Sequence, residues 1–583
     1  MVFTVMMAIV FHAKVIYFWN ITKLFQKNLV YLHSNNKESV MIKNSLFIAI
    51  LLFSATALMA RQQTVTGSWS AVSHQPLLEV TAWKGERVGV MGWFKCTSAT
   101  TETQPFTLCL KSNRQGKNLL AAHSVNSFIR STVGFVDSVL TDDFKACGKH
   151  PEHLPPYPVP DVIVPDTAVT LKPGQQVPFW CTIEVPHNMQ PGCYSVWVEA
   201  WGGSHQKREA RLEIRLNVLN RSLPQTGQGT FHVDFWQQPY AVSRYHGVER
   251  WSQQHFNLLR PYLELLARGG QRVATAILFY EPWGDQSNDK FSPMIKTLHH
   301  RDGSWSYDYT IFDHWIELCD SCGINGQINC YSMIPWDMSF QYEEENDEGT
   351  HTVTLATNTN TEDYARLWVP FLRSFAAHLK EKGWFKKTCI AMDERGLHAM
   401  LDAYRLLHAT VPDMKMALAG NRHTELADKL YDYSLALSQR FTEDELAQRR
   451  EQHMVSTVYS CCADEFPGLF TNSAPIEATL LPLYATACGF DGYLHWSWMN
   501  WNDHPLIDSR FRLFPPGDTY VIYPGPRSSL RWEHFIKGVQ LVEKAKLLGI
   551  DLTPFKEYIT KHPRQQLAED VHALEEKTAT AAE

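Results

Sequence analysis

The spacing of hydrophobic and polar positions changes once along the chain. Between residues 62 and 220 apolar residues alternate or run in short stretches, as in Arg87-Val-Gly-Val-Met-Gly-Trp-Phe, Gln176-Val-Pro-Phe-Trp-Cys-Thr-Ile-Glu-Val and Tyr194-Ser-Val-Trp-Val-Glu-Ala-Trp. Turn signals such as Lys172-Pro-Gly and Gln190-Pro-Gly separate them, and no long amphipathic helix interrupts. The pattern predicts an all-β N-terminal domain, a β-sandwich. The polar stretch 220–229 reads as a linker. Beyond it, strands alternate with helices. Strands are predicted near 230–236, 274–280, 327–334, 388–392, 415–419, 433–437, 455–459 and 492–496. The helix 251–268 carries Phe256, Leu259, Leu263 and Leu266 on one face and stops at Gly269-Gly270. Further helices are predicted at 311–322, at 362–382 with Thr361 as N-cap, and at 528–548. Eight such units predict an α/β fold, a closed (β/α)8 TIM barrel over 229–550. The run 519–523 is taken as an insertion after strand eight, and 336–360 as a long solvated loop. The charged, Ala-rich tail 551–583 is taken as a solvated helix or frayed end.

The first sixty residues do not fit either pattern. Met41-Ile-Lys-Asn is a short basic segment, Ser45–Ala57 an apolar run, and Ala55-Thr-Ala a small-x-small cleavage site. Residues 41–60 therefore read as a secretory signal peptide and 1–40 as an over-extended start. The run is too short for a stable membrane span. The expected location is periplasmic or secreted, where disulfides are permitted. Cys181 and Cys193 flank one apparent hairpin and are candidates to pair, whereas the adjacent Cys461 and Cys462 are poorly placed to bridge each other. Cys319-x-x-Cys322 has no second CxxC.

A net charge of −7 without Lys/Arg runs excludes a nucleic-acid partner. The 19 Trp, 22 Tyr and 30 Phe are more informative, because several Trp fall where strands end. Barrel enzymes carry their chemistry at the C-terminal strand ends. Those ends offer Asp234 and Trp236, Glu281 and Trp283, then Asn329, Tyr331 and Trp336. Next come Asp393-Glu394-Arg395, Asn421, Gln439, Tyr459 and His495-Trp496-Ser-Trp498. Flat rings beside hydrogen-bonding tips are what a sugar site needs. No HExxH, P-loop or GxSxG occurs, and no metal or cofactor is expected.

Asp393-Glu394 stands out because an apolar strand ends in two carboxylates. A structural role, a salt bridge to Arg395 or a pair at a helix start, competes with a catalytic one. Two like charges this close push one pKa up, so that one group can stay protonated. Adjacent carboxylates do not suit the usual glycosidase pair, whose members flank the sugar about 5–5.5 or 6.5–9.5 Å apart. They suit substrate assistance, in which a 2-acetamido group supplies the nucleophile. Strict strand alternation would send the two side chains to opposite faces, so the strand must give way there. Asp464-Glu465 lies in a loop and reads as surface or cap; Glu281 and His495 read equally as site or core residues.

Ala391-Met-Asp393-Glu394-Arg, Gly492-Tyr-Leu-His-Trp-Ser-Trp and Gly517-Asp-Thr-Tyr-Val-Ile-Tyr-Pro-Gly525, followed by Ser529-Leu-Arg-Trp-Glu, together resemble glycoside hydrolase family 123. The resemblance spans about 62–550. It implies an exo-acting, retaining β-N-acetylgalactosaminidase working through an oxazolinium ion, with Asp393 orienting the acetamide and Glu394 as general acid/base. The substrate would be a glycan or glycoconjugate ending in N-acetylhexosamine. Tyr331, Trp496, Trp498, Tyr459, Asn329 and Trp236 are the expected substrate-binding residues. The alternatives are a glycosidase of the same fold with a carboxylate nucleophile such as Glu281, and a non-catalytic glycan-binding protein.

Overall fold

The computed structural model describes residues 65–580 apart from 71–73, 98–105, 113–116, 119–128, 166–167, 203–206 and 562–563. The expected signal segment lies outside the described residues. Among the described residues no helix is long and apolar enough to cross a membrane.

Among the described residues eleven strands precede residue 223: β1 (Val65–Ser68), β2 (Leu77–Lys84), β3 (Arg87–Cys96), β4 (Phe106–Ser112), β5 (Lys117–Asn118), β6 (Arg130–Thr141), β7 (Tyr157–Pro165), β8 (Ala168–Leu171), β9 (Gln176–Glu184), β10 (Gly192–Gly202) and β11 (Lys207–Ser222). They form a five-stranded sheet, β1-β3-β9-β6-β7, and a six-stranded one, β2-β11-β10-β4-β8 with β5 on β10. Period-two burial supplies one apolar cluster to both. Phe94, Phe179, Cys181 and Ile183 come from one sheet; Val196, Val198, Leu212, Ile214 and Leu216 come from the other. Cys181 and Cys193 do not pair. The apparent hairpin that flanks them is not one: β9 and β10 belong to different sheets, so Cys181 is buried while Cys193 lies half-exposed beside Asn217.

The next region holds eight parallel strands: β12 (His232–Phe235), β13 (Val273–Ile277), β16 (Gln327–Tyr331), β19 (Thr388–Asp393), β20 (Lys415–Gly420), β21 (Asp432–Ala436), β22 (Val455–Tyr459) and β23 (Gly492–His495). Their order is β12-β23-β22-β21-β20-β19-β16-β13. The two end strands meet in a single bridge, Val233 to Gln271. Side-chain amides complete that seam. Gln271 accepts from Phe235 N–H at 2.8 Å and donates to the Val273 carbonyl at 2.6 Å, and Gln237 accepts from Thr275 N–H at 2.8 Å. Backbone groups that no ladder reaches are thus satisfied. Gly492 is required where β23 meets β12, since a Cβ there would come within 1.8 Å of the His232 carbonyl oxygen.

Helices α1 (Pro239–His246), α2 (Gln253–Arg268), α3 (Thr310–Ser321), α4 (Glu362–Glu381), α5 (Leu397–Thr410), α6 (Glu443–Glu451), α7 (Ile476–Ala487) and α8 (Leu530–Leu548) pack around these strands. Thr361 accepts from Tyr364 N–H and starts α4; Thr442 and Glu445 form a capping box on α6. The segment 336–360 is not a loop. It holds a hairpin, β17 (Ser339–Asn346) and β18 (Gly349–Ala356), that joins β14 (Lys296–His299) and β15 (Trp305–Asp308) in a sheet β15-β14-β17-β18. Glu344 and Glu345 lie on β17 and pair with His299 and His300, each at 3.0 Å. Residues 519–523 form no strand either; they are a buried segment with isolated bridges from Tyr520 to Met499 and from Tyr523 to Arg527.

The tail corrects the expectation of a solvated or frayed end. After α9 (Tyr558–Lys561), α10 (Leu567–Thr580) buries Leu567, Val571, Leu574 and Thr578 on one face, and Trp83 donates its indole N–H to the Thr578 carbonyl at 3.2 Å. The stretch 220–229 is likewise held down: Arg272 donates to the Gly227 and Gly229 carbonyls at 3.0 and 2.8 Å. Val65–Glu583 form one compact unit.

Candidate active site

β19 is fully buried through Met392, and solvent first reaches it at Asp393. An ordinary strand would aim the next side chain the other way. Glu394 instead adopts φ +48°, a left-handed conformation uncommon for a residue with a Cβ, while its N–H still donates to the Ala419 carbonyl at 2.7 Å. Both carboxyls consequently act on Tyr459 at the end of β22. Its hydroxyl donates to Glu394 Oε1 at 3.1 Å, and its pKa is raised by burial, then by the charges of Glu394 and Asp393.

The two acids have unlike surroundings. Burial pushes the Asp393 pKa well above the carboxylate range, and the neighbouring Glu394 adds to this; Arg395 and the Trp336 indole N–H oppose it. That N–H falls short of hydrogen-bond geometry and has no other acceptor. Glu394 is exposed. Arg395 does not neutralise the pair. Its Nη1 donates to the carbonyls of Pro335 and Trp336 at 3.2 and 3.4 Å, and its guanidinium lies 5.7 Å from the Trp336 ring. Among the described residues no ion pair joins it to Asp393 or Glu394.

Beside Asp393 lies an aromatic group. The Tyr331 ring is 4.8 Å from Trp236 and 5.0 Å from Trp283, and the two indoles stack at 5.1 Å. The Tyr331 pKa is raised by burial, then by the charges of Asp234 and Asp393, and Tyr331 pairs with Ala391 of β19, two residues before Asp393. The indole N–H groups of Trp236 and Trp283, and Asp234 Oδ1, are buried without partners. Asp234 is itself raised well above the carboxylate range, by burial and then by Asp432. Asn329 sits deeper. It donates to Asp234 Oδ2 at 3.4 Å and accepts from Gln327, which also donates to Asp432 at 2.6 Å. Asn329 is thus part of a buried polar chain.

Trp496 is half-buried. It donates to Asp518 Oδ2 at 3.2 Å and packs on Phe514 at 4.8 Å. Burial pushes the Asp518 pKa up to about 7. The charges of Asp518 and Glu394 both reach Cys461, whose thiol is pushed up to about 12 by burial and Asp464. Trp496 also packs on the cluster of Cys462, Phe511 and Phe514, next to Cys461. Trp498 does not join this group; it is fully buried against Trp532 at 4.3 Å and Phe235 at 5.7 Å.

His495 is a core histidine, its pKa lowered to about 4 by burial and its Nε2 on the Asp518 carbonyl at 3.0 Å. Glu281 is buried, accepts from Phe291 N–H, and has its pKa pushed up to about 7 by burial. Asp464 closes a turn on Cys461 N–H at 2.9 Å, and Glu465 pairs with Arg564 at 3.7 Å. Among the described residues one cysteine cluster could hold a metal, Cys147, Cys461 and Cys462, but Cys147 and Cys462 are joined as a disulfide. Asp234, Trp283 and Trp336 are read at strand ends but not among the expected substrate binders, and Asp518 is not singled out. Asp234 lies within β12, Trp283 and Trp336 follow the ends of β13 and β16 by six and five residues, and Asp518 stands in the Gly517-Asp-Thr-Tyr motif.

The catalytic-domain model of glycoside hydrolase 123 matches residues 236–548, and the N-terminal-domain model of the same family matches 34–200. The chain belongs to glycoside hydrolase family 123. A solved structure from Clostridium perfringens, presented as the details of glycolipid glycan hydrolysis by a family 123 glycoside hydrolase, superposes with a TM-score of 0.75 at 24% identity. It covers 88% of this chain and 95% of that one, a likeness that shows the fold. A putative beta-galactosidase from Bacteroides fragilis (9% identity, 82% of this chain, 60% of that one) and a Bacteroides uniformis beta-glucuronidase 2 mutant (10%, 82%, 50%) both have TM-scores of 0.28 and carry no argument. No curated protein matches the chain. As a family 123 member it is a glycoside hydrolase, with a glycan as substrate.

Proposed function

We propose that this glycoside hydrolase releases terminal β-linked N-acetylgalactosamine from glycans or glycoconjugates with retention, the substrate's acetamide acting as nucleophile. The observation that carries the reading is the unlike surroundings of adjacent acids: Asp393 desolvated beside Tyr331 and Trp336, Glu394 exposed and held by Tyr459. In the first step the acetamide carbonyl oxygen attacks C1. The glycosidic C1–O bond breaks, and Glu394 gives its proton to the leaving oxygen. Asp393 releases its proton to solvent when substrate binds, accepts the acetamide N–H and, as a carboxylate, stabilises the oxazolinium charge. Glu394 then takes a proton from the water that attacks C1 and reopens the ring. Tyr459, Tyr331, Trp236 and Trp496 supply the walls, with Asn329 acting through Asp234 and Trp498 as packing. Glu281 is occupied by the Phe291 backbone and is less suited to be a nucleophile.

The glycolipid glycan named for the Clostridium perfringens enzyme supports a glycoconjugate substrate. The same reading takes the eight-stranded sheet as a (β/α)8 barrel and the N-terminal sheets as a β-sandwich. Export to the periplasm or medium is supported by the apolar run 45–57. Hydrolysis of an aryl β-N-acetylgalactosaminide tests the activity. Glu394→Gln should cost about 10²–10⁴-fold on poor leaving groups and less on good ones. Asp393→Asn should slow every substrate and weaken a thiazoline mimic of the oxazoline. Wild-type rates in both variants would refute the assignment.

A further inference from the structure

The groove between the sheet β15-β14-β17-β18 and helix α4 has a volume of about 820 Å³, within the range of about 300–1,000 Å³ that small-molecule sites occupy. Its wall is aromatic. The Trp305 indole is stacked by His299 at 4.4 Å and met edge-on by Tyr342 at 5.0 Å, so its other face is left to the groove. Neither the Trp305 N–H nor the Tyr342 hydroxyl has a hydrogen-bond partner among the described residues. Opposite them α4 presents Glu362, Asp363 and Arg366, the last two paired. A flat apolar face ringed by planar polar groups is the chemistry of a pyranose, with C–H faces for the indole and hydroxyls for the fork-shaped ends.

The groove is tied to the cleft by the chain. Trp336, beside Asp393, precedes Tyr342 by six residues, so their Cα atoms lie no more than about 22 Å apart. We propose that this groove is a second glycan-binding site, holding the part of the substrate's glycan beyond the cleaved residue. The proposal rests on the cleft assigned above, and its test separates the two. The full-length protein and its Trp305→Ala and Arg366→Ala variants would be compared on an aryl β-N-acetylgalactosaminide and on a pentasaccharide ending in β-N-acetylgalactosamine. In parallel, the Glu394→Gln forms would be titrated with the tetrasaccharide that lacks the terminal residue. We expect the variants to raise KM for the pentasaccharide and weaken the tetrasaccharide about tenfold, with the aryl rate unchanged. Pentasaccharide kinetics and tetrasaccharide affinity equal to the parent's in both variants would overturn the proposal. So would tetrasaccharide binding that Trp305→Ala weakens without changing pentasaccharide KM, since the groove would then serve a separate glycan. If Trp305→Ala lowers the aryl rate by misfolding, Tyr342→Phe and Arg366→Ala decide. Absence of aryl turnover by the parent, with tetrasaccharide binding intact, would sink the substrate assignment alone.

Discussion

At Glu394 one backbone angle of +48° undoes the alternation that would have separated two adjacent acids. The cost of the arrangement falls on Asp393. Its carboxyl binds a proton more tightly in the folded chain than in the unfolded one, because burial and Glu394 penalise the anion. Its contribution to stability is therefore present below the ordinary carboxylate range and is lost as pH rises through the raised pKa. Asparagine has no such loss. We expect Asp393→Asn to melt higher than the parent at pH 7, with the gain vanishing as pH falls toward about 4. Thermal melts across that range check this; a variant less stable at pH 7 would contradict it. The pair itself was legible, since four apolar residues end in two acids. Their unequal environments were not, because Tyr459 ends another strand and Trp336 lies in the segment that follows a third.

Elements were legible where their signals are local. Thr361 reads as an N-cap from its place before a periodic run, and it does accept from Tyr364 N–H. Thr361→Ala should therefore lower stability by about 1 kcal/mol, as measured by denaturant unfolding, without altering the aryl rate. The hairpin β17–β18 was illegible for the opposite reason. It buries little beyond Phe340, and its Glu343-Glu344-Glu345 run carries the composition of a loop. Glu344 and Glu345 are acceptable in a strand because His299 stands on the neighbouring one and His300 just beyond its end. The amides of Gln237 and Gln271 at the seam between β12 and β13 likewise have no local signature; only the meeting of the two end strands gives them work.

Across the whole molecule the N-terminal sheets and the parallel strands are held by buried polar ties. Arg531 on α8 meets Asp161 on β7 at 2.9 Å with both side chains almost inaccessible, and Tyr523 donates to the same carboxylate at 2.6 Å. Removing one partner leaves a buried, uncompensated charge. Asp161→Ala should cost about 3–5 kcal/mol and lower the melting of the whole unit in one transition, which calorimetry would read. A separate early transition for the N-terminal sheets would contradict this. Linker and tail were misjudged from sequence because composition reports polarity and not what a distant segment will hold, as Arg272 does for Gly229 and Trp83 for Thr578. The Cys147–Cys462 bond adds a matter of timing. Its sulfurs are 315 residues apart, and Cys462 follows the seventh parallel strand by only three residues. Synthesis delivers the first thiol long before the second, so where thiols are oxidised the closed bond is a record of completion: crosslinked copies are those whose assembly has reached the loop beside Tyr459.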